Sequence, residues 1–156
     1  MKKKLLLLVA VFCFLGIGLQ AQETMSKGRL VGSARAGFSN VGIPVAVAAD
    51  YGIVSGFING NAAVSVGGEL GIFTDVKNNV ITFSLAARGN FHYEFVENLD
   101  TYAGLHAGLG FDGNLLPDIT FHVGARYYIT ERFGFNAEIG AGTSFGGSVG
   151  VSYKFL

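Results

Sequence analysis

The 156-residue chain balances 11 basic against 11 acidic side chains, and nothing in that balance points to nucleic acid as a partner. Its single cysteine, Cys13, excludes an internal disulfide. Mean hydropathy is +0.45, high for a soluble domain, yet after Leu19 no apolar run approaches the roughly 20 residues that a membrane-spanning helix needs.

The first element is a secretory signal peptide over residues 1–21. Met1-Lys2-Lys3-Lys4 supplies the positive start, Leu5 to Leu19 the apolar stretch, and small Ala21 before Gln22 the cleavage point. Leu19 is larger than the residue usual two positions upstream of the cut. The rival, an uncleaved anchor helix, is short of apolar length, and acylation at Cys13 is opposed by bulky Phe12 in front of it. The mature part, 22–156, is expected to be one domain without cysteine, with eight basic against eleven acidic side chains.

Along that domain apolar residues recur with period two. The alternation predicts eight strands near 29–38, 45–53, 63–73, 80–95, 102–111, 119–129, 133–142 and 148–156. In the sixth, Phe121, Val123, Ala125, Tyr127 and Ile129 alternate with Thr120, His122, Gly124, Arg126 and Tyr128. In the seventh, Phe133, Phe135, Ala137, Ile139 and Ala141 share one face. Each segment has about the 9 to 11 residues that a tilted strand needs to cross a bilayer, and no helical periodicity competes. The expected fold is all-β: an eight-stranded antiparallel up-and-down transmembrane β-barrel. The connections around Asn40 to Pro44, Val76 to Asn79, Asp112 to Asp118 and Thr143 to Gly147 read as short, and Val54 to Ala62 as the longer one.

A soluble and a membrane barrel share alternation but point it in opposite directions, and charge decides between them. The polar face carries Arg35, Asp50, Glu69, Arg88, Glu94, His106, His122, Arg126, Glu138 and Lys154. That is too little charge for a water-facing surface, and each Arg or Lys turned toward lipid would cost about 2 to 4 kcal/mol near the midplane. The charges are therefore expected in the lumen, four basic against four acidic, as a salt-bridged network. Arg126 and Glu138 are the expected pair, brought together by a hairpin near Glu131-Arg132. Gly67, Gly71, Gly104, Gly108, Gly124, Gly140 and Gly150 line the same face, leaving room for long side chains or a narrow channel. Phe38, Tyr51, Phe91, Tyr93, Phe95, Phe111, Phe133, Tyr153 and Phe155 fall toward strand ends, as interfacial girdles do.

Chemistry-bearing patterns are sparse. His92, His106 and His122 point inward, but no motif supplies a Ser–His–acid arrangement, and three isolated histidines have poor metal-ligand spacing. No catalytic residue, cofactor or metal site is expected, and the chain is not read as an enzyme.

Asp50-Tyr51-Gly52-Ile53, Val66-Gly67-Gly68, Tyr102-Ala103-Gly104-Leu105, Gly124-Ala125-Arg126-Tyr127-Tyr128 and Ala137-Glu138-Ile139-Gly140 make the mature chain resemble the bacterial outer-membrane β-barrel domain family, including its small outer-membrane protein X and protein A members and porin-family barrels. Val149 to Phe155 is similar to the closing-strand signal read by the barrel-assembly machinery, with Leu156 added beyond it. The resemblance implies residence among outer-membrane lipids of a Gram-negative-type envelope. It also implies a role in envelope integrity or narrow permeation, with a monomer favoured. A surface binder or adhesin, and a lipid-A-modifying enzyme, are the rival classes.

Overall fold

A computed structural model describes residues 24–39, 42–75, 80–142 and 146–156. The expected leader and the connections at 40–41, 76–79 and 143–145 lie outside the described residues.

Alternating side chains, small enough to pleat and branched or aromatic on one face, fold into eight strands. They are β1 (Leu30–Phe38), β2 (Ile43–Phe57), β3 (Ala62–Asp75), β4 (Val80–Val96), β5 (Leu99–Phe111), β6 (Leu115–Tyr128), β7 (Phe133–Gly142) and β8 (Gly147–Lys154). Each pairs antiparallel with the next, and β1 pairs with β8 from Val31↔Lys154 to Phe38↔Gly147, closing the barrel. Closure leaves no edge strand with unpaired backbone groups.

Polarity is inside out relative to a water-soluble domain. Val47, Leu70, Leu85, Leu105, Phe121, Ile139 and Val149 lie on the outside, each at least half exposed. The register places Val47, Leu70, Leu85 and Leu109 side by side across four strands, an apolar belt with no protein over it. Ring pairs stud the exterior at the end where the chain enters and leaves: Tyr93–Phe95 at 4.7 Å, Phe133–Phe135 at 5.7 Å and Tyr153–Phe155 at 5.1 Å between centroids.

The interior is polar in its middle and apolar at its two ends. At the far end Phe73 and Ala46 are buried together. At the end bearing the termini, Met25, Val31 and Ala63 form a second apolar cluster. Met25 belongs to the segment before β1, which is held across β2 by hydrogen bonds from Gly28 N to Gly52 O and from Gly52 N to Arg29 O, both 2.9 Å. Thr24 N donates to Glu94 Oε2 at 2.9 Å. A side chain at Gly52 would overlap the Ser26 carbonyl, so this close approach needs glycine.

Several strands outrun the expected boundaries. The stretch from Val54 to Ala62 is not a long connection: β2 continues to Phe57 through register shifts at Gly52/Val54 and Ser55/Phe57, and β3 starts at Ala62. Bulges let a strand continue where strict alternation fails. The turn itself is Ile58 to Asn61, with left-handed φ of 50°, 60° and 86° at Ile58, Asn59 and Gly60. Likewise β5 begins at Leu99 and β6 at Leu115, so the Asp112 to Asp118 connection shrinks to Asp112 to Asn114.

Candidate functional site

The inward parity of every strand feeds one polar cluster. All ten charged and histidine residues singled out in the sequence lie in it, with relative exposure from 0% for Asp50 and Arg126 to 9% for Lys154. An unpaired charge in such a place is costly, so the partners decide whether the interior is stable.

At its centre two guanidinium groups share two carboxylates. Arg35 of β1 bonds Glu69 of β3 and Glu138 of β7. Arg88 of β4 bonds the same Glu69, and Glu138 at 2.8 Å. The Tyr102 hydroxyl donates to Glu138 at 2.9 Å. A second group joins this ring through Asp50, which lies 3.5 Å from Arg88 Nε and bonds Arg126. Arg126 reaches Asp100 at 3.4 Å and stacks over the Tyr102 ring at 4.5 Å.

The expected Arg126–Glu138 pair does not form. Arg126 faces Asn136 across the β6–β7 ladder and Gly124 faces Glu138, so the two charges are diagonal neighbours. Arg126 instead bonds Asp50 of β2 across the lumen and lies 3.4 Å from Asp100, directly opposite it on β5, while Glu138 bonds Arg35 and Arg88. In a barrel this narrow the opposite wall is within reach of an Arg side chain, so partners need not come from the adjacent strand.

The expected balance of four acidic residues also changes. Asp100 and Asp118 are buried inside as well, at 1% and 3% exposure. Each has a histidine partner: His92 Nδ1 is 2.8 Å from Asp100 Oδ1, and His106 Nε2 is 3.0 Å from Asp118 Oδ1. Both aspartates continue the inward parity of their strands past the boundaries expected from the sequence, which is why they were missed. His122 Nε2 lies 2.7 Å from Asn90 Oδ1 and 3.1 Å from Arg88 Nη2.

A Ser–His–acid arrangement, absent as a sequence motif, is present in space. Ser65 Oγ is 2.8 Å from His92 Nε2, and the Asp100 carboxylate holds the other ring nitrogen. This is the connectivity of a hydrolytic triad. Ser65 is fully buried, and Asn90 Nδ2 donates to its hydroxyl at 3.4 Å. A reacting carbonyl would need contact with that oxygen, which the barrel wall and its neighbours occupy.

Three of the inward glycines face neighbouring side chains at close range. A Cβ at Gly67 would lie 2.7 Å from Asp50 Oδ1, and one at Gly71 would lie 2.6 Å from Ser84 Oγ. At Gly124 it would lie 2.6 Å from the Tyr102 hydroxyl. The space that the glycines vacate is filled by side chains from the next strand. Gly124→Val is therefore expected to displace Tyr102 from Glu138 and cost about 1 to 3 kcal/mol, read as a lower urea midpoint for unfolding from detergent micelles.

A closed up-and-down barrel with an apolar exterior and an ion-paired interior is the architecture of small transmembrane β-barrels. Solved structures of that class match over nearly their whole length. A de novo designed transmembrane β-barrel is 19% identical, with 83% of this chain and 98% of that chain covered and a TM-score of 0.62. The N-terminal β-barrel domain of Pseudomonas aeruginosa OprF is 15% identical, with 84% of this chain and 100% of that chain covered and a TM-score of 0.60. No family model matches, and no curated protein matches.

Proposed function

We propose that the chain is exported by its leader and serves as a sealed, non-enzymatic structural barrel of a bacterial outer membrane. The observation that carries this reading is the lumen itself, ion-paired from wall to wall, with a small apolar cluster toward each end, within an apolar outer belt. Conduction needs a continuous water path, and the buried charges and filled glycine spaces take up the cross-section.

The last strand fits recognition by the barrel-assembly machinery, since Val149, Val151, Tyr153 and Phe155 all face outward. Resemblance to the OprF domain favours the outer membrane over a soluble location. Leader-free protein refolded in detergent should migrate differently on gels before and after boiling. In planar bilayers it should give no sustained current steps. Steady unitary conductance would overturn the sealed reading, and folding without detergent would overturn the membrane one.

A further inference from the structure

At the end of the barrel that carries the termini, the interior opens into a cavity of about 580 Å³. Its floor is Lys154 and Tyr128, both buried, with the Lys154 ammonium 3.7 Å from the centre of the Tyr128 ring. Glu94, Asp100 and Arg29 are the charges that act on the ammonium, and the buried Tyr128 hydroxyl has no hydrogen-bond partner among the described residues. Arg29 and Arg132 stand on the walls.

The walls are fixed by backbone hydrogen bonds. Lys154 N donates to Arg132 O at 2.8 Å, Tyr128 N to Asn98 O at 2.9 Å and Phe155 N to Leu30 O at 2.9 Å. Glu97 and Glu131 lie on the exposed rim, and Arg29 also donates to the Thr24 carbonyl at 3.4 Å. Ile129, Phe155 and Leu156 line the outer lip and are more than half exposed.

We propose that this cavity is a binding site for a phosphate oxyanion, supplied by the headgroup of an anionic phospholipid in the leaflet at the terminal end of the barrel. This rests on the membrane reading given above for the source of the anion, but not for the anion site itself. A buried ammonium, and a buried hydroxyl that lacks a hydrogen-bonding partner, are two donors that a phosphate group satisfies together. Arginine at the wall matches the oxygens of the same group. The apolar lip beside these donors accepts the start of acyl chains, so the mouth is amphipathic in the same sense as a lipid at an interface.

The test is titration of the detergent-refolded protein with short-chain phosphatidylglycerol, short-chain phosphatidylcholine and inorganic phosphate, followed by native mass spectrometry and calorimetry. Phosphatidylglycerol should bind with a preference over phosphatidylcholine. Lys154→Met and Arg132→Gln should each weaken it about tenfold, the scale of one lost charge-assisted hydrogen bond. Arg132 sits in an exposed turn, so its variant keeps the test valid even if the Lys154 variant fails to fold. Binding of phosphate without phosphatidylglycerol would support the oxyanion site and reassign its source to a soluble ligand. Absence of both, or phosphatidylglycerol binding unchanged in both variants, would overturn the proposal. Conductance results bear on the sealed lumen alone, so the two readings fail separately.

Discussion

Glu138→Gln is expected to lower the unfolding free energy of the barrel by about 3 to 5 kcal/mol, because it removes one carboxylate that two buried guanidinium groups share. Arg35 and Arg88 both bond it, and Tyr102 donates to it. With Glu69 alone left between them, the two buried like charges repel at close range, Arg88 keeping Asp50 at 3.5 Å as its other carboxylate. Urea titration in lipid vesicles, followed by tryptophan-free probes such as far-UV circular dichroism, reads the loss. A further comparison separates pairing from simple packing. Removing one cation together with one anion, as in Arg88→Met with Glu138→Gln, restores the balance of the ring. That double variant should lose less than the sum of the two single losses, by roughly 1 to 3 kcal/mol of coupling. Strict additivity would mean that the four charges act independently, against the shared geometry.

Leu70→Arg tests the other face of the same sheet. Leu70 sits on the outer belt between Val47 and Leu85, more than half exposed and far from both strand ends. In a bilayer an arginine there should cost about 2 to 4 kcal/mol and slow refolding into vesicles. In a water-soluble barrel the same change would be close to neutral, since an exposed position accepts charge readily. Refolding yield into vesicles, compared with that of a variant at an exposed turn such as Glu131→Arg, measures the difference. Equal yields would place Leu70 outside the hydrocarbon region.

The direction of each side chain was legible in the sequence because period-two alternation is a local property. Arg126 and Glu138 could be assigned to the lumen from their immediate neighbours alone. Their partners could not. Glu138 bonds Arg35, 103 positions away, and Arg126 bonds Asp50, 76 positions away. Which residues meet across the lumen depends on strand tilt and on the offset at closure, neither of which a hairpin rule contains.

Asp100 and Asp118 were hidden by a different effect. Turn-forming residues beside them suggested loop, whereas antiparallel pairing carries both strands further, to Phe111↔Leu115 at one end and Leu99↔Tyr127 at the other. Asp100 keeps step with Tyr102 and His106, and Asp118 with Thr120 and His122, so extending the alternation through the turn signals would have found them. The Ser65–His92–Asp100 contact needed the register of three strands at once. Ser65 faces Asn90, and Asp100 faces Glu94, which leaves His92 between them on the diagonal.

The shared ring of charges also constrains how the barrel can assemble. Its four members come from β1, β3, β4 and β7: Glu69 and Arg88 share the β3–β4 hairpin, whereas Arg35 and Glu138 are joined only through the closing strand β8. The β3–β4 hairpin therefore brings a matched pair with it, whereas β1 or β7 entering lipid without the other would carry Arg35 or Glu138 without the ion pair that joins them in the closed form. The geometry couples insertion of β1 and β7 to closure, because Arg35 and Glu138 meet only when β8 lies between their strands. That one contact is a check on completeness: a sheet that has not closed leaves a guanidinium and a carboxylate without each other, a cost that the finished cylinder removes.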